Sequence, residues 1–139
     1  ALPSWQLWQE RQLALSVRER LRMDVQAARV QAMQSAHPLH LQATHDCAWH
    51  SQTDTDWSCG WQLIDPLDQR PLQTTVLSQP MQVSFTKSLP LEISPRGDLG
   101  QVGDRWTVQS RQSQAAAVAQ SLCLSGAGRL RAVAGVTCH

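Results

Sequence analysis

The stretch SWQLWQERQLALSVRERLRMDVQAARVQAMQSA, residues 4–36, sets the architecture of this chain. It holds neither proline nor glycine, and prolines stand just outside it at Pro3 and Pro38. Pro38 crowds the preceding residue out of helical backbone, so the run predicts one helix that ends near Ala36 or His37. At ~1.5 Å per residue such a helix is on the order of 50 Å long. An ordinary globular helix is about a third of that. Ala14, Val17, Leu21, Val25, Ala28 and Ala32 recur at steps of three and four, which is one apolar stripe. Arg11, Arg18, Arg22 and Arg29 fall off the stripe, with Glu10, Glu19 and Asp24 among them. Toward the start the stripe dissolves, and Trp5, Leu7, Trp8, Leu13 and Leu15 point in several directions. The second half therefore reads as packed on a domain. The first half reads as a protruding rod whose large apolar groups need a partner. Periodicity leaves open a return of Trp5 and Trp8 onto the same domain.

Beyond Pro38 the period changes. Leu39, Leu41 and Ala43 alternate with polar residues, as in a half-buried strand. Residues 44–60 are polar, with Asp54 and Asp56 in what reads as a solvated loop. Short strand patterns follow at 61–64, 72–77, 83–85, 91–93 and 106–110. A last hairpin runs from Val118 to Val133 and turns at Ser125-Gly126-Ala127-Gly128. Asp65-Pro66-Leu67-Asp68 and Pro95-Arg96-Gly97-Asp98 carry turn chemistry, and residues 113–117 read as a loop. One long helix followed by seven or eight short strands at hairpin spacing is an α+β fold with antiparallel sheet. At 139 residues the chain reads as one domain, 1–139. Its helix occupies 1–36 and its β-rich head 37–139.

A formal net charge of +1 excludes a long-range pull on nucleic acid or anionic lipid from the molecule as a whole. Lys87 is the sole lysine, so arginine carries the positive charge. Four cysteines in two close pairs, Cys47 with Cys59 and Cys123 with Cys138, point to disulfides in an oxidising compartment. A bridge within the first pair would stabilise by ~2–3 kcal/mol in the chain-entropy model. Cross-pairing stays open at this point. His45, Cys47, His50 and Cys59 lie close together, but their spacing matches no standard zinc pattern. His37 and His40 flank Pro38 and read as a surface pair. No G-x-S-x-G elbow and no H-E-x-x-H helix occurs. The chain reads as a non-enzyme with no catalytic residue, no metal, no cofactor and no small-molecule substrate.

Gly128-Arg129-Leu130-Arg131 has chemical content. On a strand, Arg129 and Arg131 share one side at ~6.5–7 Å, close to the spacing of successive phosphates along a nucleic-acid strand. Each offers a planar fork to phosphate oxygens. Gly128 suits a turn with positive φ. Arg111 and Lys87 are candidates to stand alongside. The competing reading pairs these arginines with Asp98, Asp104 or the terminal carboxylate of His139.

Taken in order, the long helix ending near His37-Pro38, a strand, a cysteine-containing loop, Asp56-Trp57-Ser58-Cys59-Gly60-Trp61 and the late Gly-Arg-x-Arg segment resemble the GspH/FimT family. Its members are type IV minor pilins and type II secretion pseudopilins. The resemblance spans nearly the whole chain. It implies a pilin-like fold and a structural subunit for assembly, priming or the tip of a type IV pilus. A type II secretion pseudopilin of the same fold is the alternative. It implies partners among other minor and major pilin subunits, reached through the helix and the sheet edges. Trp5, Leu7 and Trp8 would be the assembly handle on the helix. Family members that act in natural transformation use the Gly-Arg-x-Arg motif on DNA, which nominates Gly128, Arg129 and Arg131. The implied location is the bacterial cell surface or periplasm. Members begin with a hydrophobic segment that anchors them in the inner membrane before assembly. Ala1-Leu2-Pro3-Ser4 reads as the point where such a segment gives way to the rest of the helix.

Overall fold

The computed structural model describes residues 4–48, 53–77, 81–88, 90–99, 104–110, 118–125 and 129–138. The run without helix breakers forms a single helix, α1 (Ser4–Ser35), of 32 residues. It ends where Ala36 turns left-handed, at φ 60°, and returns its N–H to the Ala32 carbonyl at 3.1 Å. Pro38 follows and the chain turns into strand. Eight strands come next: β1 (Leu39–Ala43), β2 (Gly60–Asp65), β3 (Arg70–Val76), β4 (Met81–Phe85), β5 (Leu91–Ile93), β6 (Arg105–Ser110), β7 (Gln120–Ser125) and β8 (Arg129–Ala134). They form two four-stranded antiparallel sheets, β3-β2-β1-β5 and β4-β6-β7-β8.

Register explains which face of each sheet meets α1. In the first sheet Leu41 lies opposite Leu63 and Leu91, and Ala43 opposite Trp61. In the second, Val83 faces Val108 and Trp106 lies between Phe85 and Leu122. These rows and the helix residues Ala14, Leu21, Val25, Ala28 and Ala32 make one core. The expected stripe is therefore the buried one, with Val17 partly buried against it.

Aromatic rings join the two sheets. Trp57 lies 5.5 Å from Phe85, 5.6 Å from Trp106 and 6.4 Å from Trp61, centroid to centroid. Phe85 stacks on Trp106 at 4.6 Å. Gly60 makes room for this arrangement. Its φ is +120°, and a Cβ there would stand 2.1 Å from the Thr75 carbonyl oxygen across β2 and β3. Only glycine satisfies both constraints.

Cys47 bonds to Cys59 and Cys123 to Cys138. The within-pair reading holds, and with Cys47 and Cys59 in a disulfide neither is a thiolate for zinc. The second bridge carries the segment after β8 across the outer face of β7. There Ser121 donates to the Gly135 carbonyl at 2.7 Å. Ser121 and Cys123 are buried as a result, so β7 is covered on both faces.

Three local readings change. Arg18 is not off the stripe: its side chain is only 12% exposed and lies between α1 and the second sheet. Asp56 is buried, not solvated, whereas Asp54 is exposed. The reason is that the end of the polar stretch adds itself to the edge of β4. Phe85 donates to the Thr55 carbonyl at 2.9 Å and Trp57 to the Val83 carbonyl at 2.7 Å. Asp56 Oδ1 then accepts from the Ser58 backbone N–H at 3.1 Å and from its hydroxyl. His37 and His40 do not act as a pair. His37 meets Asp65 at 2.9 Å and His40 meets Glu92 at 3.5 Å. Gly128, Arg111 and residues 113–117 lie outside the described residues.

Candidate functional site

The rotation of α1 decides which of its residues face outward, and two ionised side chains fix it. Asp24 Oδ2 accepts from Trp61 Nε1 at 2.8 Å and from the Thr75 hydroxyl at 2.6 Å, with Arg20 at 3.2 Å. That ties the helix to β2 and β3. Arg18 donates to Gln120 Oε1 at 2.7 Å and to the Val133 carbonyl at 3.2 Å, which ties it to β7 and β8. Hydrogen bonds to charged groups contribute about 1.5–3 kcal/mol each, so the helix has one strongly preferred setting.

In that setting Trp5 and Trp8 are 60% and 62% exposed. Leu7 differs from both: it is half-buried and packs against the core. The three residues nominated as an assembly handle are thus split, two outward and one inward. Further along, Met23, Val30 and Met33 are also exposed, at 60%, 49% and 49%. At about 100° per residue, these and the two tryptophans fall within an arc of roughly 80° opposite the buried stripe. This outer row was missed in the sequence because its middle is polar, at Gln12, Ser16 and Glu19. Seven-residue spacing from Met23 to Val30, with Met33 three further on, was the available signal. From the flank of the row Arg22 donates to Glu19 at 2.6 Å and holds its carboxyl below the usual carboxylate range. Glu19 is therefore an anion at neutral pH.

Arg129 and Arg131 are exposed on β8, the edge strand of the second sheet. Their register partners are Ser125 and Cys123, so both lie on the face that the disulfide-bonded tail crosses. Arg131 donates to the Cys138 carbonyl. The carboxylate of Asp104, one of the partners considered for these arginines, instead meets Lys87 at 3.4 Å and Thr86 at 3.0 Å.

A cleft of about 230 Å³ lies beside the Cys47–Cys59 loop, lined by Gln42, Ala43, His45, Asp54, Trp57, Ser88 and Pro90. It brings two titratable side chains, His45 and Asp54, to one lining. Among the described residues no group of three or more His, Cys, Asp and Glu side chains is placed to hold a metal ion. No helix of the described residues is long and apolar enough to cross a membrane.

No family model matches the chain, and no curated protein sequence matches it. The backbone has the fold of a type IV minor pilin. Crystal structures of the type IV minor pilin FimU of Pseudomonas aeruginosa PAO1 are similar over most of both chains. In one crystal form the TM-score is 0.68 at 19% identity, over 89% of this chain and 90% of that one. In a second it is 0.66 at 18% identity, over 86% and 91%. At such identity the likeness is one of fold.

Proposed function

We propose that the chain is a non-enzymatic minor pilin of the GspH/FimT kind, a structural subunit that takes part in the assembly, priming or tip of a type IV pilus. One observation carries the proposal. A single helix is clasped along the inner face of its second half by two sheets, while Trp5 and Trp8 stand in solvent in its first half. Exposed tryptophans on a rod have a use when other helices cover them, at about 1.5–3 kcal/mol each. The likeness of fold to FimU supports the reading. The partners are then other minor and major pilin subunits, and the place is the bacterial cell surface or periplasm, with membrane anchoring before assembly. The test is complementation of a strain lacking the gene. Wild-type protein should restore surface pili, and Trp5→Ala with Trp8→Ala should reduce them at unchanged protein level. Full piliation without the gene, or with the double variant, would overturn the reading. The type II secretion alternative predicts lost secretion in the same strain.

DNA binding by β8 is the second reading, favoured by two exposed arginines on one face of an edge strand. With two phosphate contacts, log affinity should fall against log salt with a slope of roughly −2. Gel shifts of equal strength for wild type and for Arg129→Gln with Arg131→Gln would remove it.

A further inference from the structure

The outer face of α1 has a seam and one charged flank, and together they say what kind of surface fits it. The seam runs at alternating steps of four and three through Glu19, Met23, Gln26, Val30 and Met33. Such spacing on a straight helix receives another helix laid alongside it. One flank is basic: Arg11, Arg22 and Arg29 lie within roughly 20° of one another around the axis. Arg22 reaches Glu19, and Arg29 donates to the Gly97 carbonyl at 2.8 Å. A guanidinium has five N–H donors, so Arg22 and Arg29 each keep some for a partner.

Two features weigh against a second copy of this chain as the occupant. In a parallel, in-register pair Glu19 would face Glu19 in the seam. In an antiparallel pair the arginine flank would face itself. Like charges set opposite each other cost affinity and suppress the wrong partner.

We infer that the outer face of α1 binds the helix of a different subunit, one with apolar residues at heptad spacing, carboxylates along the flank facing Arg11, Arg22 and Arg29, and a basic group opposite Glu19. The inference rests on the filament reading and adds the chemistry of the neighbour: assembly through this face is heterotypic.

Two labelled helical peptides test it by fluorescence anisotropy with the whole chain. Both carry leucine and isoleucine along one seam. One has glutamates on the flank and a lysine opposite Glu19, and the other has these charges reversed. The acidic-flanked peptide should bind at least about tenfold more tightly at low salt, with the gap narrowing as salt screens it. Val30→Glu, a surface change, should weaken that binding at least about tenfold with the circular dichroism spectrum unchanged. Equal binding of the two peptides, or binding of neither, would overturn the inference. So would a chain that sediments as a dimer and becomes monomeric in Val30→Glu, because the occupant would then be a second copy. If Trp5→Ala with Trp8→Ala abolishes piliation while the peptides show no preference, this partner chemistry falls and the filament reading stands.

Discussion

Asp65 closes the end of β2 and also holds the end of the helix. Its Oδ1 accepts from the Leu67 N–H at 3.0 Å, and its Oδ2 lies 2.9 Å from His37, just beyond α1. The Leu67 N–H first, and His37 second, hold its carboxyl below the usual carboxylate range. A depressed folded-state pKa gives stability that is complete above the unfolded value, about 3.9, and is lost as pH falls through the folded value. Asp65→Asn keeps an acceptor for Leu67 and cannot ionise. The wild-type protein should therefore exceed Asp65→Asn in chemical-denaturation midpoint above about pH 4, and the two midpoints should converge as the pH falls below it. A gap that stays constant from pH 6 to pH 2.5 would show that the ionised form contributes nothing.

At the scale of the element, α1 is one helix with two mechanical halves. From Ala14 onward every turn buries a side chain, and Arg18 and Asp24 add ionic ties. Before Ala14 no helix residue is fully buried, and among its apolar side chains only the half-buried Leu7 packs on the core cluster. A helix segment of about ten residues has little stability of its own in water. Local opening should then be cheap at the start and approach the cost of global unfolding further on. Amide hydrogen exchange should show a step in protection near Ala14, with amides before Leu13 exchanging at least about a hundredfold faster than those from Leu21 to Ala32. Uniform protection from Trp8 to Ala32 would mean that the head already holds the whole helix, and the first half would not be a free handle.

Across the whole molecule, what could be read beforehand was whatever repeats with a short period. The helix, its buried stripe and the eight strands all follow from spacings of 3.6 and 2. The even count and close spacing of the cysteines point to disulfides, while their pairing comes only with the structure. What escaped depends on contacts between distant segments. Arg18 carries a charge that argues for the surface, yet Gln120 lies 102 residues away to receive it. Asp56 sits in a polar stretch, and its burial requires β4 to present an open edge to residues 55–57. The outer row on α1 is apolar only at its ends, so no window on the sequence scores it as a stripe. These three surprises belong to one arrangement. Asp56 and Ser58 seal the first loop onto the second sheet, which brings Trp57 between the two sheets. Joined sheets present Thr75 and Trp61 on one side and Gln120 on the other, at a fixed separation. An anion and a cation six residues apart on α1 then reach one sheet each. The helix cannot roll without breaking one of them, and so the part of the row from Met23 to Met33 keeps a constant bearing on the head. A subunit that must meet its neighbours in one orientation needs that bearing fixed before it meets them, and half-buried charge–dipole contacts fix it more sharply than apolar packing alone.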